Sequence, residues 1–586
     1  MTLLSLKLRA GVNPSETEYS QEGGWIDSDN VRFFNGRVQK VGGWEKLLDS
    51  ATFIGICRRL LGWRDDAEAR RIAIGTHKKL YYYYSGTLTD ITPIRESGNL
   101  TNPFTTTSGS ALVDVTDAAH GLSDGDYVIF SGASAVGGIT IDGTYTVTQV
   151  TGTNNYTITH SAAASSGASG GGTVAYQYEI GIGLQDSIEG RGYGVGTWGS
   201  GTYGSSRTTS FVTLGCRTWS LEARGENLIA CPRGGSIYEW DPDTGGRAAV
   251  ITNAPTTNVG MIVTEERMIV ALGAGGNKLR VQWCDQEDDT IWTPAITNTA
   301  GDDLLSEGSE IIAGMRYGSG IFLVWTDTAL FKFQFVQDDL VYHNDKVGND
   351  MGLIGPAAAV EYLGRVWWMH QDDFMVYDGA GAGPIPRSAD IRAYVFDDIN
   401  LEQASKFHAG LTSDFSEIHW YYCSAAATEI DRCVSFHLTD QCWTICRLSR
   451  TAAIDHGVFN YPVKAATDGY LYNHEIGTDA DGAAMEAYIT TAPMDIGDGE
   501  RLMNLFGLVP DIKGQVGSVN VTVYTRDYPN SRKITSTTYE LGVGTEIQDM
   551  REQGRTIQLK FASNEIGGHF RLGRIRLDAQ PAGKRR

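Results

Sequence analysis

The chain has 586 residues, with 71 glycines, 15 prolines and 41% hydrophobic residues, so it can form several domains with buried cores. Abundant glycine with little proline favours turns and tight hairpins, and it predicts an all-β protein rather than a disordered one. The 70 acidic and 48 basic residues give a net charge of −22, which excludes ordinary binding of duplex DNA because no basic surplus displaces counterions. Two interpretations of this charge stay open: general solubility, or repulsion of DNA inside a passage through which it slides.

Residues 1–46 are predicted to be an extended segment with hairpins. Lys7 and Arg9 interrupt the first apolar run, which is too short for a signal peptide, and no stretch is long enough to span a bilayer. We therefore expect the protein to fold in a cytoplasm. Asn35-Gly36, between the strand-like VRFF and RVQKV, predicts a two-residue β-hairpin.

A strand–turn–strand pattern begins in residues 47–97 and resumes in residues 175–481. Each copy has a short apolar strand, a turn and an aromatic-rich strand. The copies lie at Arg71 to Gly86, Glu226 to Asp241, Glu266 to Asp285, Ser319 to Phe335, Gly364 to Gly379, Glu417 to Cys446 and Tyr461 to Glu475. A lone four-stranded unit cannot bury both faces, and a spacing of roughly 40 to 50 residues suits stacked blades of a β-propeller. The pattern therefore predicts a β-propeller scaffold, with the number of blades open by one or two.

The propeller is predicted to be interrupted by a small β-barrel module at residues 98–174. This stretch is rich in Thr, Ser, Ala and Gly and carries few charges. Short alternating strands are expected at Tyr127 to Phe130, Gly143 to Val150 and Asn155 to Thr159. The module thus lies between two strands of the larger scaffold.

A glycine-rich segment follows the barrel, with Tyr193, Trp198 and Tyr203 at every fifth residue. We expect a crossing loop whose aromatic side chains dock on the scaffold. A stacked loop with an adhesive surface is the alternative.

Residues 482–586 are predicted to form a separate C-terminal β-sandwich. Their sequence alternates at Val519 to Tyr524, Thr556 to Phe561 and His569 to Leu577. Helices are expected to be nearly absent, and the best candidate is the weak pattern at Asp398 to Phe407.

An acidic turn follows one of the propeller strands. Asp285-Gln286-Glu287-Asp288-Asp289-Thr290-Ile291-Trp292 resembles the Asp-box hairpin of sialidase-type propellers, in which polar side chains cap the turn and the tryptophan packs between blades. We assign a structural role in the turn to Asp285, Asp288, Asp289 and Trp292. Calcium binding by these carboxylates is the alternative, although the spacing of an EF-hand is missing.

The predicted propeller contains candidate carboxylates for glycoside hydrolysis. A glycosidase needs one protonated and one ionised carboxylate, for which Asp372, Asp373 and Asp378 are candidates. Aspartate is common in the hairpin turns of any propeller, and the sequence contains no Walker loop, GxSxG elbow or HExxH motif. We therefore expect no catalytic residue, no metal site and no cofactor.

Histidines and aromatic clusters are interpreted as packing residues. His370, His419 and His437 lie in strands among aromatic neighbours, which favours packed histidines over catalytic bases. Trp367-Trp368 and Tyr81 to Tyr84 could offer platforms for carbohydrate. Alternation along a strand turns half of these rings toward the blade interface, which favours packing.

The eight cysteines are few for this length, and most lie within apolar strand patterns. Buried, reduced thiols are therefore expected. Cys442 and Cys446 lie four positions apart on one face of an apparent strand, but no CxxC pair or nearby histidine pair supports a zinc site.

The N-terminal segment carries a family resemblance. Its motif consists of Asn30, Val31, Arg32, Phe33, Asn35, Gly36, Gly42, Gly43 and Trp44. This motif resembles the opening of the tail nozzle proteins of short-tailed bacteriophages, also called tail tubular protein B or packaged-DNA stabilization proteins. WCDQEDDTIWTP, GNDMGLIGP and DDFMVYDG are also similar to propeller segments of that family. The resemblance covers the N-terminal segment and the propeller.

A second resemblance concerns the insert at residues 98–174. HGLSDGDYVIFSG and IDGTYTV are similar to a small β-barrel module that phage structural proteins share with ubiquitin-activating enzymes. The catalytic cysteine of those enzymes lies outside the module, and the insert contains no cysteine. The resemblance therefore implies no ubiquitin chemistry.

The nozzle resemblance implies a structural virion protein and not an enzyme. It implies a homohexamer below a portal and an adaptor, or head-to-tail connector, in a virion tail that is assembled in the host cytoplasm. Genomic DNA would be retained by the channel and would leave through it at infection, without sequence-specific binding. Tail fibres or tailspikes are further candidate partners, and no residue is assigned to the channel or gate. The alternative is a propeller-type tail protein that binds or degrades glycans.

Overall fold

The computed structural model describes residues 3–14, 17–191, 211–336, 340–495, 500–528 and 535–583. The predicted loop with Tyr193, Trp198 and Tyr203 lies outside these residues. The chain divides into two compact units. Unit 1 comprises Met1–Thr52, Asp186–Thr213 and Leu305–Arg586, and unit 2 comprises Phe53–Gln185 and Leu214–Leu304.

Three four-stranded antiparallel sheets of unit 2 have the meander order of propeller blades. Their strands are Cys57–Arg64, Arg70–Thr76, Leu80–Tyr84 and Thr87–Asp90; Trp219–Arg224, Asn227–Pro232, Tyr238–Trp240 and Ala249–Val250; and Gly260–Val263, Ile269–Leu272, Arg280–Trp283 and Gly301–Leu304. All four residues of Ile269–Leu272 are buried. Inner strands are thus covered on both faces, which is why the sequence shows continuous apolar runs there.

Four further sheets of this kind lie in unit 1. Their strands are Ile311–Arg316, Ile321–Thr326, Ala329–Phe335 and Tyr342–Asn349; Ala359–Tyr362, Arg365–Met369, Phe374–Tyr377 and Ala382–Pro384; His408–Thr412, Glu417–Tyr422, Arg432–His437 and Cys442–Cys446; and Ala452–Ile454, Val463–Ala465, Leu471–His474 and Trp44–Lys46. The last sheet takes its fourth strand from the N-terminal segment, because Trp44–Lys46 pairs with Leu471–His474.

The insert forms an eight-stranded barrel sheet with its own core. In sheet order its strands are Ile94–Thr101, Thr173–Glu179, Tyr127–Ser131, Gly143–Gly152, Asn155–Thr159, Leu112–Thr116, Phe104–Thr106 and Ala168–Gly170. Tyr156 and Tyr178 share a hydrogen bond at 3.1 Å inside it, and Tyr178 also donates to Asp117.

The C-terminal sandwich of unit 1 is built from two ends of the chain. Its sheets combine Leu3–Ser5, Arg576–Ala582, Leu502–Val509 and Gln548–Gly554; Trp25–Asp29, Ala487–Thr491, Thr556–Ser563, Met494–Asp495, Val519–Arg526 and Thr535–Leu541; and Val31–Phe34, Arg37–Lys40, His569–Leu572 and Ile512–Val516. N-terminal strands therefore take part in every sheet of the sandwich. A further pair, Ile188–Arg191 and Phe211–Leu214, forms a two-stranded sheet.

Helical structure is sparse in the described residues. One α-helix spans Ala389–Phe396, and three 3₁₀ turns span Ala274–Gly276, Leu401–Lys406 and Ser413–Phe415. The predicted all-β class, with a propeller scaffold, an inserted barrel and a C-terminal sandwich, is confirmed.

None of the described helices has the length and apolar character needed to cross a membrane.

Candidate functional site

The Asp-box-like turn lies in unit 2, and its carboxylates accept hydrogen bonds from the turn itself. Asp285 Oδ1 accepts from the hydroxyl and the amide of Thr299, at 2.6 and 2.7 Å, and from the Gln286 amide at 3.0 Å. Asp288 Oδ1 accepts from the hydroxyl and the amide of Thr290, at 2.6 and 2.9 Å. The Thr290 bonds lower the pKa of Asp288. These short acidic side chains thus satisfy backbone amides of the loop.

The other two residues of the turn connect it to its surroundings. Asp289 pairs with Arg224 Nη1 at 3.0 Å, which links the turn to the strand Trp219–Arg224 of the neighbouring sheet. The indole of Trp292 is 3% exposed and donates to the Asp289 carbonyl at 2.6 Å. The four residues therefore hold a turn in place. The carboxylates that would have to bind a cation already accept hydrogen bonds from the protein or form ion pairs with it.

Arg32, within the N-terminal motif, lies at the centre of a buried ion cluster in unit 1. Its Nη1 donates to Glu475 Oε2 at 2.9 Å, and its Nη2 contacts the other oxygen of Glu475. Its Nε forms an ion pair with Glu417 Oε2 at 3.0 Å that lacks hydrogen-bond geometry. We call Arg32, Glu417 and Glu475 the Arg32 node. Glu417 lies in the strand Glu417–Tyr422, and Glu475 directly follows the strand Leu471–His474, so the node connects the N-terminal hairpin to the last two propeller sheets of unit 1.

Two glycines of the motif allow the chain to approach this node. A Cβ on Gly42 would lie 2.6 Å from Glu475 Cα, and one on Gly43 would lie 2.2 Å from the Asp479 carbonyl oxygen. The Gly42 amide donates to Glu475 Oε2 at 3.1 Å. Any side chain at these two positions would therefore push the N-terminal segment away from Glu475.

The hairpin of the motif has the two-residue turn that the Asn35-Gly36 sequence predicts. Asn35 and Gly36 have φ angles of 51° and 68°, the left-handed values of a two-residue hairpin turn. The Gly36 amide donates to Asp440 at 2.8 Å. Val31 and Phe33, at 4% and 1% exposure, join the core of unit 1.

Asn30 and Trp44 fix the two ends of the motif. The Asn30 amide group donates to the Glu486 carbonyl at 2.9 Å. Trp44 stacks on His474 with 5.5 Å between ring centroids, and the Arg450 guanidinium lies 4.9 Å from the Trp44 ring. The motif residues thus connect the N-terminal segment to the last propeller sheets of unit 1.

Burial controls how the node ionises. It raises the pKa of Glu417 to about 7, although the charge of Arg32 acts in the opposite direction. Burial also acts to raise the pKa of Glu475, but the charge and hydrogen bonds of Arg32 outweigh it, so this pKa is lowered. Near neutral pH the node therefore has one ionised carboxylate, Glu475, and one that titrates, Glu417.

The three histidines singled out in the sequence differ in their partners and burial. His419 contacts the hydroxyls of Thr412 and Ser435 at 2.9 and 2.6 Å, and burial holds its pKa well below the usual value. His370 Nδ1 lies 2.8 Å from Asp372. His437 is buried, which lowers its pKa.

The aromatic clusters offer little platform. Trp367 and Trp368 are 3% and 0% exposed, so neither ring can stack on a sugar. In the other cluster Tyr81 is 6% exposed, and Tyr84, at 41%, is the open ring. Packing therefore accounts for most of these residues.

One acidic group was missed from the sequence. Carboxylate oxygens of Glu226, Asp241 and Asp243 lie within 4.8 Å of one another, and oxygen ligands of this kind suit a divalent cation. Burial and the nearby Asp243 charge raise the pKa of Glu226. Glu226 is the first and Asp241 the last residue of one predicted strand–turn–strand copy. Antiparallel pairing of the two strands brings these ends together, and this was the signal that could have located the group.

The cysteines are free thiols, seven of them buried. Burial raises the pKa values of Cys57, Cys231 and Cys433 to about 12, which leaves them protonated and unreactive at neutral pH.

No protein-family model and no curated protein matches the chain. Among solved structures it is similar to the PorZ protein of the Porphyromonas gingivalis type-IX secretion system, at 10% identity and a TM-score of 0.29, over 94% of this chain and 86% of that one. It is also similar to YCF48 bound to D1 peptide (7% identity, TM-score 0.29, 65% and 94% covered) and to the phage phi92 endosialidase (9%, 0.16, 84% and 64%). Likeness at these scores carries no inference about activity or partners.

Proposed function

We propose that this protein is the tail nozzle of a short-tailed bacteriophage, a structural virion protein that forms a hexameric channel for DNA below the portal and adaptor. The observation that carries the proposal is the placement of the motif that resembles nozzle proteins. Arg32 pairs with Glu417 and Glu475, and the Gly42 amide donates to Glu475, so the motif connects the beginning of the chain to the last propeller sheets of unit 1. In the proposed nozzle, the resembling segment would hold the beginning of the chain to the propeller sheets.

A channel that retains packaged DNA has to resist force without yielding. Inner propeller strands covered on both faces, such as Glu417–Tyr422 with all six residues buried, give such stiffness because close-packed cores deform little. A buried ion node adds a joint that is costly to open. Both features suit a wall that resists deformation better than they suit a catalytic cleft.

The charge of the chain suits a conduit. At −22 the protein repels the phosphate backbone, so DNA would slide through without being held by sequence-independent attraction. The adaptor above and fibres or tailspikes at the side would be its protein partners. The site of action would be the virion tail.

Mass measurement by light scattering and native mass spectrometry tests the proposal. We expect rings of about six copies, formed by the protein alone or on addition of the adaptor encoded beside it. Electron cryomicroscopy of intact virions should then place these rings around the axial DNA. A monomer that hydrolyses glycans, and loses this activity with one acidic residue, would overturn the nozzle proposal in favour of a glycan-active propeller.

A further inference from the structure

A cleft of about 390 Å³ lies in unit 1, and none of its lining residues belongs to the Asp-box-like turn or to the Arg32 node. Its polar lining consists of Glu18, Asp27, Thr490, Tyr524, Gln558 and Lys560. Its volume falls within the range of about 300 to 1,000 Å³ that is usual for small-molecule sites.

Sheet register explains why these side chains converge. Asp27 is opposite Thr490, and Thr490 is opposite Lys560, on three successive strands. Gln558 is opposite Tyr524 and two residues from Lys560, so it points to the same face. One face of a single sheet therefore forms the floor of the cleft.

The polar floor is covered by the N-terminal segment. The opposite face packs in the core, where Leu559 and Phe561 are 0% and 1% exposed, so the polar face should be open to solvent. Instead Glu18 lies over it and pairs with Arg526 at 2.7 Å, and Gln558 is only 6% exposed. A partly covered polar floor of this kind, with the Glu18 side chain still 44% exposed, suits a polar ligand rather than an apolar one.

Of the cationic side chains at the cleft, Lys560 is the one without a carboxylate partner among the described residues. Glu18 pairs with Arg526, and Asp27 pairs with Arg447 at 3.1 Å. The Lys560 ammonium lies 3.7 Å from the centroid of the Tyr488 ring and, among the described residues, has neither a carboxylate partner nor a hydrogen bond. An anionic group on a ligand would supply that partner.

Hydroxyl groups of the cleft are also uncommitted. In the described part of the chain, neither the Tyr524 phenol nor the Thr490 hydroxyl has a hydrogen-bond partner. Hydroxyls both donate and accept, so they match the vicinal hydroxyls of a sugar ring. The face of the Tyr524 ring can in addition pack against the C–H face of such a ring.

We propose that this cleft binds a sugar acid of the hexuronate class. The ligand carboxylate pairs with Lys560, its hydroxyls bond to Thr490 and to the carboxylate of Glu18, and its ring packs on Tyr524. A neutral hexose lacks the partner that Lys560 requires. This site goes beyond the proposed nozzle function and holds whether or not the protein forms a channel.

Saturation-transfer NMR with sodium D-glucuronate and the full chain at pH 7 tests the site. We expect saturable binding with a Kd on the order of 1 mM, and D-glucose should bind at least about tenfold more weakly. Methyl β-D-glucuronide distinguishes the source of the ligand. Retained binding identifies the terminal unit of a glycan chain, whereas lost binding identifies the free acid.

Matched variants locate the site. Lys560→Gln should weaken glucuronate binding at least about tenfold, because it removes the charge-assisted contact. Thr490→Val, which keeps the shape of the side chain, should weaken it a few-fold, and Lys513→Gln, an exposed lysine outside the cleft, should leave it unchanged. Near-UV circular dichroism checks that each variant is folded. The proposal fails if glucose binds as tightly as glucuronate, if no saturable binding occurs, or if folded Lys560→Gln binds like the unaltered chain.

Discussion

In the Asp-box-like turn, Asp285 finds its partners one and 14 positions along the chain, at Gln286 and Thr299. In the Arg32 node, Arg32 reaches Glu475, 443 positions away, and is only 2% exposed. Each cluster contains a charged side chain from a motif that was singled out in the sequence. One satisfies the backbone of its own loop, and the other connects distant parts of unit 1.

The turn and the node differ in the energetic cost of losing a partner, because their carboxylates differ in burial. A half-buried carboxylate that loses its turn bonds is largely rehydrated, so each bond contributes only modestly. A buried carboxylate that loses its arginine stays desolvated and unpaired, which costs several times more. The same residue types therefore have a local role in the turn, whereas in the node they hold distant parts of unit 1 together.

The sharpest test of this comparison is Arg32→Met. The substitution keeps most of the bulk of the side chain but leaves Glu417 and Glu475 buried without their arginine partner, so we expect a loss of about 3 to 5 kcal/mol in the free energy of unfolding. Denaturant unfolding followed by tryptophan fluorescence measures it. Arg37→Met, at an exposed position of the same hairpin, is the control and should change stability little. A loss below about 1 kcal/mol for Arg32→Met would show that the node contributes little to the free energy of unfolding.

The next test uses the pH dependence of the node. Because the pKa of Glu417 is raised from 4.5 to about 7 by burial, the folded state holds this proton more tightly than the unfolded state. The stability from Glu417 is therefore fully present below pH 4.5 and is lost as pH rises through about 7. Glu475 titrates below this window, because its pKa is lowered.

Glu417→Gln cannot titrate and should lack this dependence. Between pH 4.5 and 7.5, the unfolding free energy of the unaltered chain should fall relative to that of Glu417→Gln by on the order of 2 to 3 kcal/mol. Denaturant unfolding at a series of pH values gives the difference. Glu540→Gln, an exposed glutamate, should follow the unaltered chain. Parallel curves for Glu417→Gln and the unaltered chain would mean that Glu417 is ionised like an exposed glutamate.

A smaller effect is expected from the turn. Asp285→Ala removes three hydrogen bonds to Gln286 and Thr299 and should cost about 1 to 2 kcal/mol, less than Arg32→Met. Thermal unfolding by calorimetry measures the loss. Asp114→Ala, at an exposed aspartate of the same unit, is the matched control. A cost as large as that of Arg32→Met would remove the distinction between the turn and the node.

The repeated strands of the propeller and the local turns could be predicted from the sequence. Inner propeller strands such as Arg365–Met369 are apolar over almost their whole length because stacked sheets cover both faces. The turn at Asn35-Gly36 could be predicted from the backbone conformation that these residues adopt readily. The placement of both hairpin strands follows from local chemistry alone.

Long-range pairing could not be predicted in this way. The strand Trp25–Asp29 pairs with Ala487–Thr491, and no local signal specifies a partner so distant. The same holds for the carboxylates of the Arg32 node and for the lining of the cleft. The α-helix at Ala389–Phe396 lies before the predicted segment 398–407, because Ile391 and Val395 pack in the core, whereas Asn400 caps a 3₁₀ turn.

The smallest expected effect is the response of the turn to calcium. Calcium takes six to eight oxygen ligands, and at Asp285 and Asp288 it would have to displace the hydroxyl and amide donors of Thr299 and Thr290. Adding CaCl₂, with MgCl₂ at equal ionic strength as the control, should therefore raise the melting temperature by less than about 1 °C. A rise of several degrees that Asp288→Ala abolishes would make the turn a calcium site. A rise that survives Asp288→Ala but disappears in Glu226→Gln would place the ion at the acidic group of Glu226 and leave the comparison between turn and node intact.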